Sequence, residues 1–534
     1  MNNSKGKIGA IVIWLLFIVI SYYFLLVPIN IQSPAFWAYL IIVLAVGAGL
    51  FLLNQLFIER QIAIRGQVAT YLIAVTLLLT LVGGIMFLYS SPIFHAKKYA
   101  SLIEKQEGDF ATDVSEISWN QIPTVDRATA MRLGDRKMGE IVELVSQFNV
   151  APHYTQINYR GKPVRVSPLE YADLIKWFRN TKEGLPHYIL VDMVNGAVDL
   201  VTPPENIKYS ESEFFFENVR RYLRMQYPTA MFGEFSFEID EEGVPYWVVP
   251  VREHTIGLFG GPDSKEVILL NASTGEHQKI KVGEVPEWID QVYEADLIMA
   301  QLNYNGRYTN GFINSILGQQ GVLATTEGYN YLAINDDVYV YTGITSVVRD
   351  ESNIGFILVN MRTKEATFYA TPSAEEYSAM ESARGAVQEK RYTTTFPILL
   401  NIEGKPTYFM SLKDAAGLIK MYALVDAEDY QKVTTGETVQ ETVRKFTNQA
   451  PVSEEESSGL DERERFPLEG KLVDIQSVVI SGNTYFYMLL DGEDDVFRAN
   501  IKVSEKLPFL KIGDEIRGEY VEEFQGVKGI VSLE

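Results

Sequence analysis

Five histidines and 69 acidic residues are the side chains in this sequence with which acid–base or metal chemistry could be done. His95, His153, His187, His254 and His277 are scattered, with no HExxH or other close ligand spacing for zinc. Carboxylates cluster in EIDEEG (238–243), NDD (335–337) and DGEDD (491–495). A calcium loop needs alternating oxygen donors, a glycine at a fixed place and a closing bidentate acid. None of the three clusters has that order, and they read as solvated turns. A glycosidase pair needs a set separation across a cleft, and nothing favours a particular pair. No G-x-S-x-G, P-loop or G-x-G-x-x-G occurs. GLFGGPD (257–263) lacks a Lys-Ser/Thr pair and reads as a flexible hairpin loop, not a phosphate cradle. No catalytic, metal-binding or cofactor-binding residue is assigned, and no cofactor is expected.

Recognition is better supported than catalysis. NYNGRYTNGFINSILGQQG (303–321) is rich in Asn, Gly and Gln with interspersed aromatics, unlike a core segment. EGYNYLAINDDVYVYTG (327–343) alternates, placing Tyr329 and Tyr331 on one strand face and Tyr339 and Tyr341 on one face of the next. Tyrosine faces stack on sugars or anchor protein contacts. Cross-strand pairing within a sheet is the competing reading. Tyr304, Arg307, Tyr308, Tyr329, Tyr331, Tyr339 and Tyr341 are the candidate recognition residues.

The elements that position these residues begin with three apolar stretches, 8–27, 36–56 and 68–89, each about 20 residues without a charge. As helices each spans a hydrocarbon core of roughly 30 Å. No small-residue cleavage site follows the first, so it reads as a retained helix, not a signal peptide. Lys5 and Lys7 precede it, the connection 28–35 is uncharged, and Arg60 and Arg65 lie in the second connection. Positive-inside bias puts the N-terminus in the cytoplasm and 91–534 outside, although Lys97, Lys98 and Lys105 lean the other way. Before residue 91 the only ionised side chains are Lys5, Lys7, Glu59, Arg60 and Arg65. That leaves 43 basic and 68 acidic residues beyond it, a formal charge of −25. Such a surface repels nucleic acid and attracts cations or basic partners. With no cysteine, disulfides and thiolate metal sites are excluded.

The region 91–150 reads as juxtamembrane and helical. Within it, 126–148 presents Met131, Met138, Ile141, Val142 and Val145 as one apolar face that packs on the rest of the chain. Four strand-pair signals follow: YRGKPVRV (159–166), EEGVPYWVV (241–249), INDDVYVYT (334–342) and IEGKPTYFM (402–410). Each leads to a second strand ending in LVDM, LLNA, LVNM or LVDA. Asp192, Asn271, Asn360 and Asp426 there suit side-chain-supported turns. Helical text comes next, at 210–227, 284–302, 373–389 and 435–448, with Ser210 and Ser373 as caps and Pro286 in a first turn. The repeat reads as strand, strand, helix. Two pairs of such α+β units, 151–302 and 303–450, are expected, then a hydrophilic linker at 451–465. Five short strands in 466–534 suggest an OB-like barrel.

The units, with strands ending in LLNASTGE or LVNMRTKE, resemble the PepSY domain of exported and membrane proteins of bacteria, although 334–370 lacks Gly-x-Pro. The resemblance implies a small extracytoplasmic domain associated with protease inhibition or local regulation. AMRLGDRKMGE, QINYRGKPVRVSPLEYADLIKWF, FEIDEEGVPYW, TIGLFGG and TTEGYNYLAINDDVYVYTG together resemble a family of membrane proteins of Gram-positive bacteria that brings no activity with it. The expected architecture is a three-helix transmembrane anchor (1–90), an α+β ectodomain and a small C-terminal barrel. The expected function is a cell-envelope binding, regulatory or scaffold protein whose partner is another membrane or wall-associated protein. An enzyme or enzyme subunit acting on wall polymers is the alternative.

Overall fold

A computed structural model describes residues 2–58, 67–116, 121–334, 337–347, 349–447, 466–480, 483–492, 495–504, 506–522 and 527–533. The apolar stretches form α1 (Asn2–Leu25), α2 (Pro34–Leu53) and α3 (Gln67–Tyr89). The spans Gly6–Leu25, Pro34–Leu56 and Gln67–Tyr89, of 20, 23 and 23 residues, are long and apolar enough to cross a membrane. Most of their side chains face outward, as lipid-facing helices require. Between apolar helices, association depends on small residues and polar bonds. Here Trp14 Nε1 donates to Val43 O at 2.7 Å across α2, beside Gly47, where any side chain would strike the indole. Tyr39 Oη donates to Ile18 O at 3.0 Å. Ser33 caps α2 through Phe36 N–H, and Pro34 occupies its first turn.

Beyond α4 (Pro92–Ala100) the chain builds four mostly antiparallel sheets. The central strands of the first are Thr155–Tyr159, Lys162–Tyr171 and Tyr188–Asp192; of the second, Ser236–Ile239, Pro245–Ile256 and Gly260–Asn271. The third has Asn330–Ile334, Asp337–Ser346 and Arg349–Asn360; the fourth has Ile398–Ile402, Lys405–Lys413 and Ile419–Asp426. Lys105–Gly108 adds to the third sheet in parallel beside Ala366–Tyr369. In the first and fourth sheets the hairpin turns are the two-residue loops Arg160–Gly161 and Glu403–Gly404. All four of those residues have positive φ, which matches the twist of the flanking strands.

The same hydrogen bonds recur in every sheet. Asp192 Oδ1 accepts from Val194 and Asn195 N–H, and Asn271 Oδ1 from Ser273 and Thr274. Asn360 Oδ1 accepts from Arg362 and Thr363, and Asp426 Oδ1 from Glu428 and Asp429. The next residue in each copy, Met193, Ala272, Met361 or Ala427, donates its N–H to the carbonyl of Pro163, Pro245, Val338 or Pro406. Val338 thus does in the third copy what proline does in the others. The carbonyls of Met193, Ala272, Met361 and Ala427 in turn accept N–H groups of Thr124 and Val125, Lys208 and Tyr209, Tyr293, and Ala374. Those donors immediately precede helices Arg127–Gly139, Val219–Gln226, Ala295–Tyr308 and Glu376–Ala386 or the turns leading to them. Each of these helices is thus tied, at its N-terminal side, to the sheet that follows it, and a further helix, Val439–Phe446, follows the fourth sheet and packs on it.

Several expected helix ends and caps lie elsewhere. Helix Arg127–Gly139 ends at Gly139, and Val142 and Val145 are exposed instead of continuing its buried face. Asn218, not Ser210, caps the second helix. Ser373 lies in a short strand, and Pro286 stands well before the third helix begins at Ala295. In each case the connection bonds to its own sheet before the helix starts, which delays the cap.

Cores join successive units. Tyr188, Phe237 and Trp247 share one core between the first and second; Val248, Leu269, Ile298 and Ile357 another between the second and third. Tyr341, Phe356, Tyr408 and Phe409 fill a core between the third and fourth. The fourth returns to the first: Lys413 Nζ pairs with Asp126 at 2.7 Å, Ser411 Oγ donates to Thr124 O at 2.7 Å, and Arg132 to Ala416 O. Gly134 in the first helix lies directly under the Tyr154 hydroxyl, which has no hydrogen-bond partner among the described residues. Gly134→Ala is expected to lower stability by about 1–3 kcal/mol through overpacking. Adding Tyr154→Phe removes the struck oxygen and should recover most of that loss in thermal unfolding. A double variant as unstable as the single would contradict this account.

The first 90 residues and the four units fold as one body, 1–448, and 449–534 forms a second. In the first body, the connection after α1 bonds to the second unit through Ile29 N–H to Pro228 O (2.8 Å), Asn30 Nδ2 to Thr229 O (2.9 Å) and Gln32 Nε2 to His254 O (3.0 Å). The glycine-rich tip 257–261 is no free loop. Ser90 Oγ, just past α3, accepts from Leu258 and Phe259 N–H, and the Phe259 ring meets Trp37 of α2 edge-on at 5.8 Å.

The second body is a closed five-stranded barrel built from Phe466–Ile480, Asn483–Leu490, Val496–Asn500, Val527–Leu533 and Glu515–Glu522. Val496–Asn500 pairs in parallel with Val527–Leu533 to close it around Leu472, Met488, Phe497 and Leu507. The expected linker 451–465 lies outside the described residues.

Candidate functional site

The face of the first hairpin opposite its core carries Gln156, Asn158 and Arg165, and this face meets the second and third units. Asn158 forms part of a cleft of about 740 Å³. Arg160, Gly161 and Pro163 of the first hairpin, Glu241 of the second and Leu332–Ile334 of the third line it, with Glu116 and Gln121 of the incoming chain. Arg160 bridges two units: its Nε and Nη2 donate to Glu241 O at 3.1 and 2.6 Å, and its guanidinium covers the Tyr159 ring at 4.8 Å. With Asp240 and Glu242 in the same turn as Glu241, the rim beside Arg160 is acidic.

Behind Asn158 lie two carboxyl groups that no solvent reaches, Glu238 at 0% and Asp290 at 1% exposure. Glu238 Oε2 accepts from Asp290 N–H at 2.9 Å and Oε1 from Gln291 N–H at 3.1 Å. Asp290 Oδ2 accepts from Asn158 N–H at 2.7 Å. Burial pushes Glu238 up to about 7. Burial, with the Glu238 charge beside it, raises Asp290 well above the usual carboxylate range. Two carboxyls this close in a dry interior ionise with difficulty together. Raised carboxyl pKa values also mark general acids, but a general acid has to reach a substrate. Three of the four oxygens accept backbone amides instead and pin 290–291 to the first and second hairpins, while Asp290 Oδ1 is buried with no hydrogen-bond partner among the described residues. EIDEEG is therefore not wholly a solvated turn: Glu238 is core, while Asp240 supports the turn by accepting from Val244 and Glu242 N–H.

Farther along the same face, a chamber of about 150 Å³ holds Arg165, Gln156, Gln291, Glu234, Tyr329 and Tyr331 among its walls. Arg165 donates to Tyr154 O at 3.2 Å and Gln156 Oε1 at 3.0 Å, and among the described residues no carboxylate pairs with it. Burial brings its pKa down to about 10.

The seven expected recognition residues do not converge. Tyr329 and Tyr331 meet edge-on at 5.7 Å in the Arg165 chamber. Tyr304 and Tyr308 lie on the helix Ala295–Tyr308 and pack on Tyr99 of α4 at 4.9 and 6.3 Å. Arg307 is exposed on the same helix. Tyr339 packs against the core of the third and fourth units, and Tyr341 is fully buried there with its hydroxyl on Pro397 O. Among the described residues, no group of three His, Asp or Glu side chains could hold a metal. Glu238 and Arg165 were not singled out from sequence. The available signal was a charge between two core positions, Phe237-Glu-Ile239 and Val164-Arg-Val166, in strands covered on both faces.

No protein-family model matches the chain, and no curated protein matches it.

Proposed function

We propose that this chain is a membrane-anchored extracytoplasmic scaffold that binds or regulates another membrane or wall-associated protein, with the Asn158–Arg160 cleft as its binding surface. The observation behind this reading is that the cleft is assembled from three units at once, while the acids Glu238 and Asp290 are sealed behind it. This favours recognition over hydrolysis. The sequence resemblance of the units to PepSY domains supports the same reading, as does a body bonded to the ends of its apolar helices. The acidic rim around Glu241 suits a basic segment of the partner.

A photocrosslinking residue at Glu116 or Gln121 in intact cells is expected to trap one protein repeatedly. Recovering none, while the purified protein cleaves wall fragments, would favour the enzyme alternative. Orientation has its own measurement: protease added outside intact cells should degrade 91–534. Protection of that region would reverse the proposed topology.

A further inference from the structure

We propose that the first two units also enter the bilayer directly, through an aromatic wedge formed by helix Leu174–Asn180 and the turn 214–216. Leu174, Ile175, Phe178, Phe214, Phe215 and Phe216 are 57, 66, 77, 41, 58 and 63% exposed. Six large apolar side chains on two adjoining segments form the kind of contiguous patch that marks a protein or membrane contact.

The patch is built to hold its shape. Trp177 turns inward, donates from Nε1 to Glu213 Oε2 at 2.5 Å and packs on Phe214 and Phe215 at 4.9 and 5.8 Å. Tyr171 Oη binds the other oxygen of Glu213 at 2.6 Å. Phe215 has φ of +52°, a strained value for a bulky residue. Strain of this kind persists only where the surroundings fix it.

Its position identifies the occupant. Arg221 Nη1 donates to Phe215 O at 2.6 Å, and the same guanidinium covers the Tyr23 ring of α1 at 4.4 Å. One guanidinium therefore spans from the wedge to the aromatic end of α1. Arg224 extends the contact by donating to Leu26 O at 2.8 Å. Tyr22, Tyr23 and Phe24 stand where a membrane helix carries its interfacial aromatic belt. The wedge lies at that level, so the leaflet around α1 covers it. Lys176 and Arg179 on the wedge helix can reach toward headgroups while the apolar side chains enter the acyl border.

The inference rests on α1–α3 spanning a bilayer, and the test separates the two. The chain has no cysteine, so single Phe216→Cys, Ile175→Cys, Leu81→Cys and Leu418→Cys variants of the full chain each carry one environment-sensitive fluorophore. Leu81 reports on α3 itself, and Leu418 on a turn of the fourth unit. In proteoliposomes, probes at 216 and 175 are expected to shift to the blue and lose iodide quenching. They should also be quenched by nitroxide lipids labelled near the headgroup, while the 418 probe stays aqueous. If the 216 and 175 probes behave like the 418 probe while Leu81 is lipid-quenched, the wedge is wrong and the membrane helices stand. Shielding from iodide without nitroxide quenching would mean a protein covers the patch, which also overturns the proposal. An aqueous signal at Leu81 would overturn the membrane placement and the wedge together.

Discussion

Glu238→Ala is expected to cost the body about 3–5 kcal/mol, because it strips the acceptor from two buried amides, those of Asp290 and Gln291. Each unpaired buried amide costs about 1–3 kcal/mol, and nothing in that dry junction can replace the carboxylate. Glu238→Gln keeps the shape but offers one carbonyl oxygen to two N–H groups, so about 1–3 kcal/mol is expected. The effect depends on pH, and its sign follows from the raised pKa values. In the unfolded chain both acids titrate near about 4; in the fold, Glu238 titrates at about 7 and Asp290 above its usual range. Below about pH 4 both states hold their protons. As pH rises, the unfolded state releases them first, so stability falls, by up to about 1.4 kcal/mol per pH unit for each proton. The fall ends once the folded pair ionises. Denaturant unfolding at pH 5 and pH 8 should show the wild-type protein more stable at pH 5, apart from its other acids, and Glu238→Gln with a shallower dependence. An unchanged slope in Glu238→Gln would show that this pair does not govern it.

How far the sequence disclosed this depends on whether a residue's fate is local. The apolar helices are long uninterrupted runs, and the barrel strands are bounded by turn residues, so both are legible. Asp192, Asn271, Asn360 and Asp426 are legible too, because an Asx turn closes within three residues. The starts of the helices are not, because they are set by bonds such as Tyr293 N–H to Met361 O, which join positions far apart in the chain. The tyrosines were legible as strand residues but not in their destinations. Tyr331 and Tyr341 alternate alike in sequence; one borders a chamber and the other fills a core, depending on which unit packs above them. Glu238 and Arg165 were hidden for the same reason: a strand charge looks solvated until a second unit covers its face.

Gly260→Val is expected to unseat the hairpin tip from the membrane helices. A Cβ at 260 would collide with Ser90 O, the Tyr99 hydroxyl and Ile256 O. Two of those three are backbone atoms, so no rotamer change relieves the clash. Ser90 is held from both sides, since Tyr99 Oη donates to its carbonyl at 2.7 Å while its own hydroxyl oxygen accepts two amides. The tip must therefore lift, releasing those amides and the Phe259–Trp37 contact, for a local loss of about 2–4 kcal/mol. Hydrogen exchange at Leu258 and Phe259 should then quicken roughly 30- to 1,000-fold, with the barrel unaffected. Gly283→Val is the control, because among the described residues, its chain neighbours aside, nothing stands within 4 Å of a Cβ added there. Ser90→Ala should give a milder loss of about 1–2 kcal/mol by leaving the same amides without an acceptor. Exchange in Gly260→Val as slow as in the wild type would mean the tip is held elsewhere. If partner capture at the Arg160 cleft survives while the tip is free, the cleft works without a rigid mount. Loss of capture with an intact cleft would tie binding to the fixed position of the second unit on its helices.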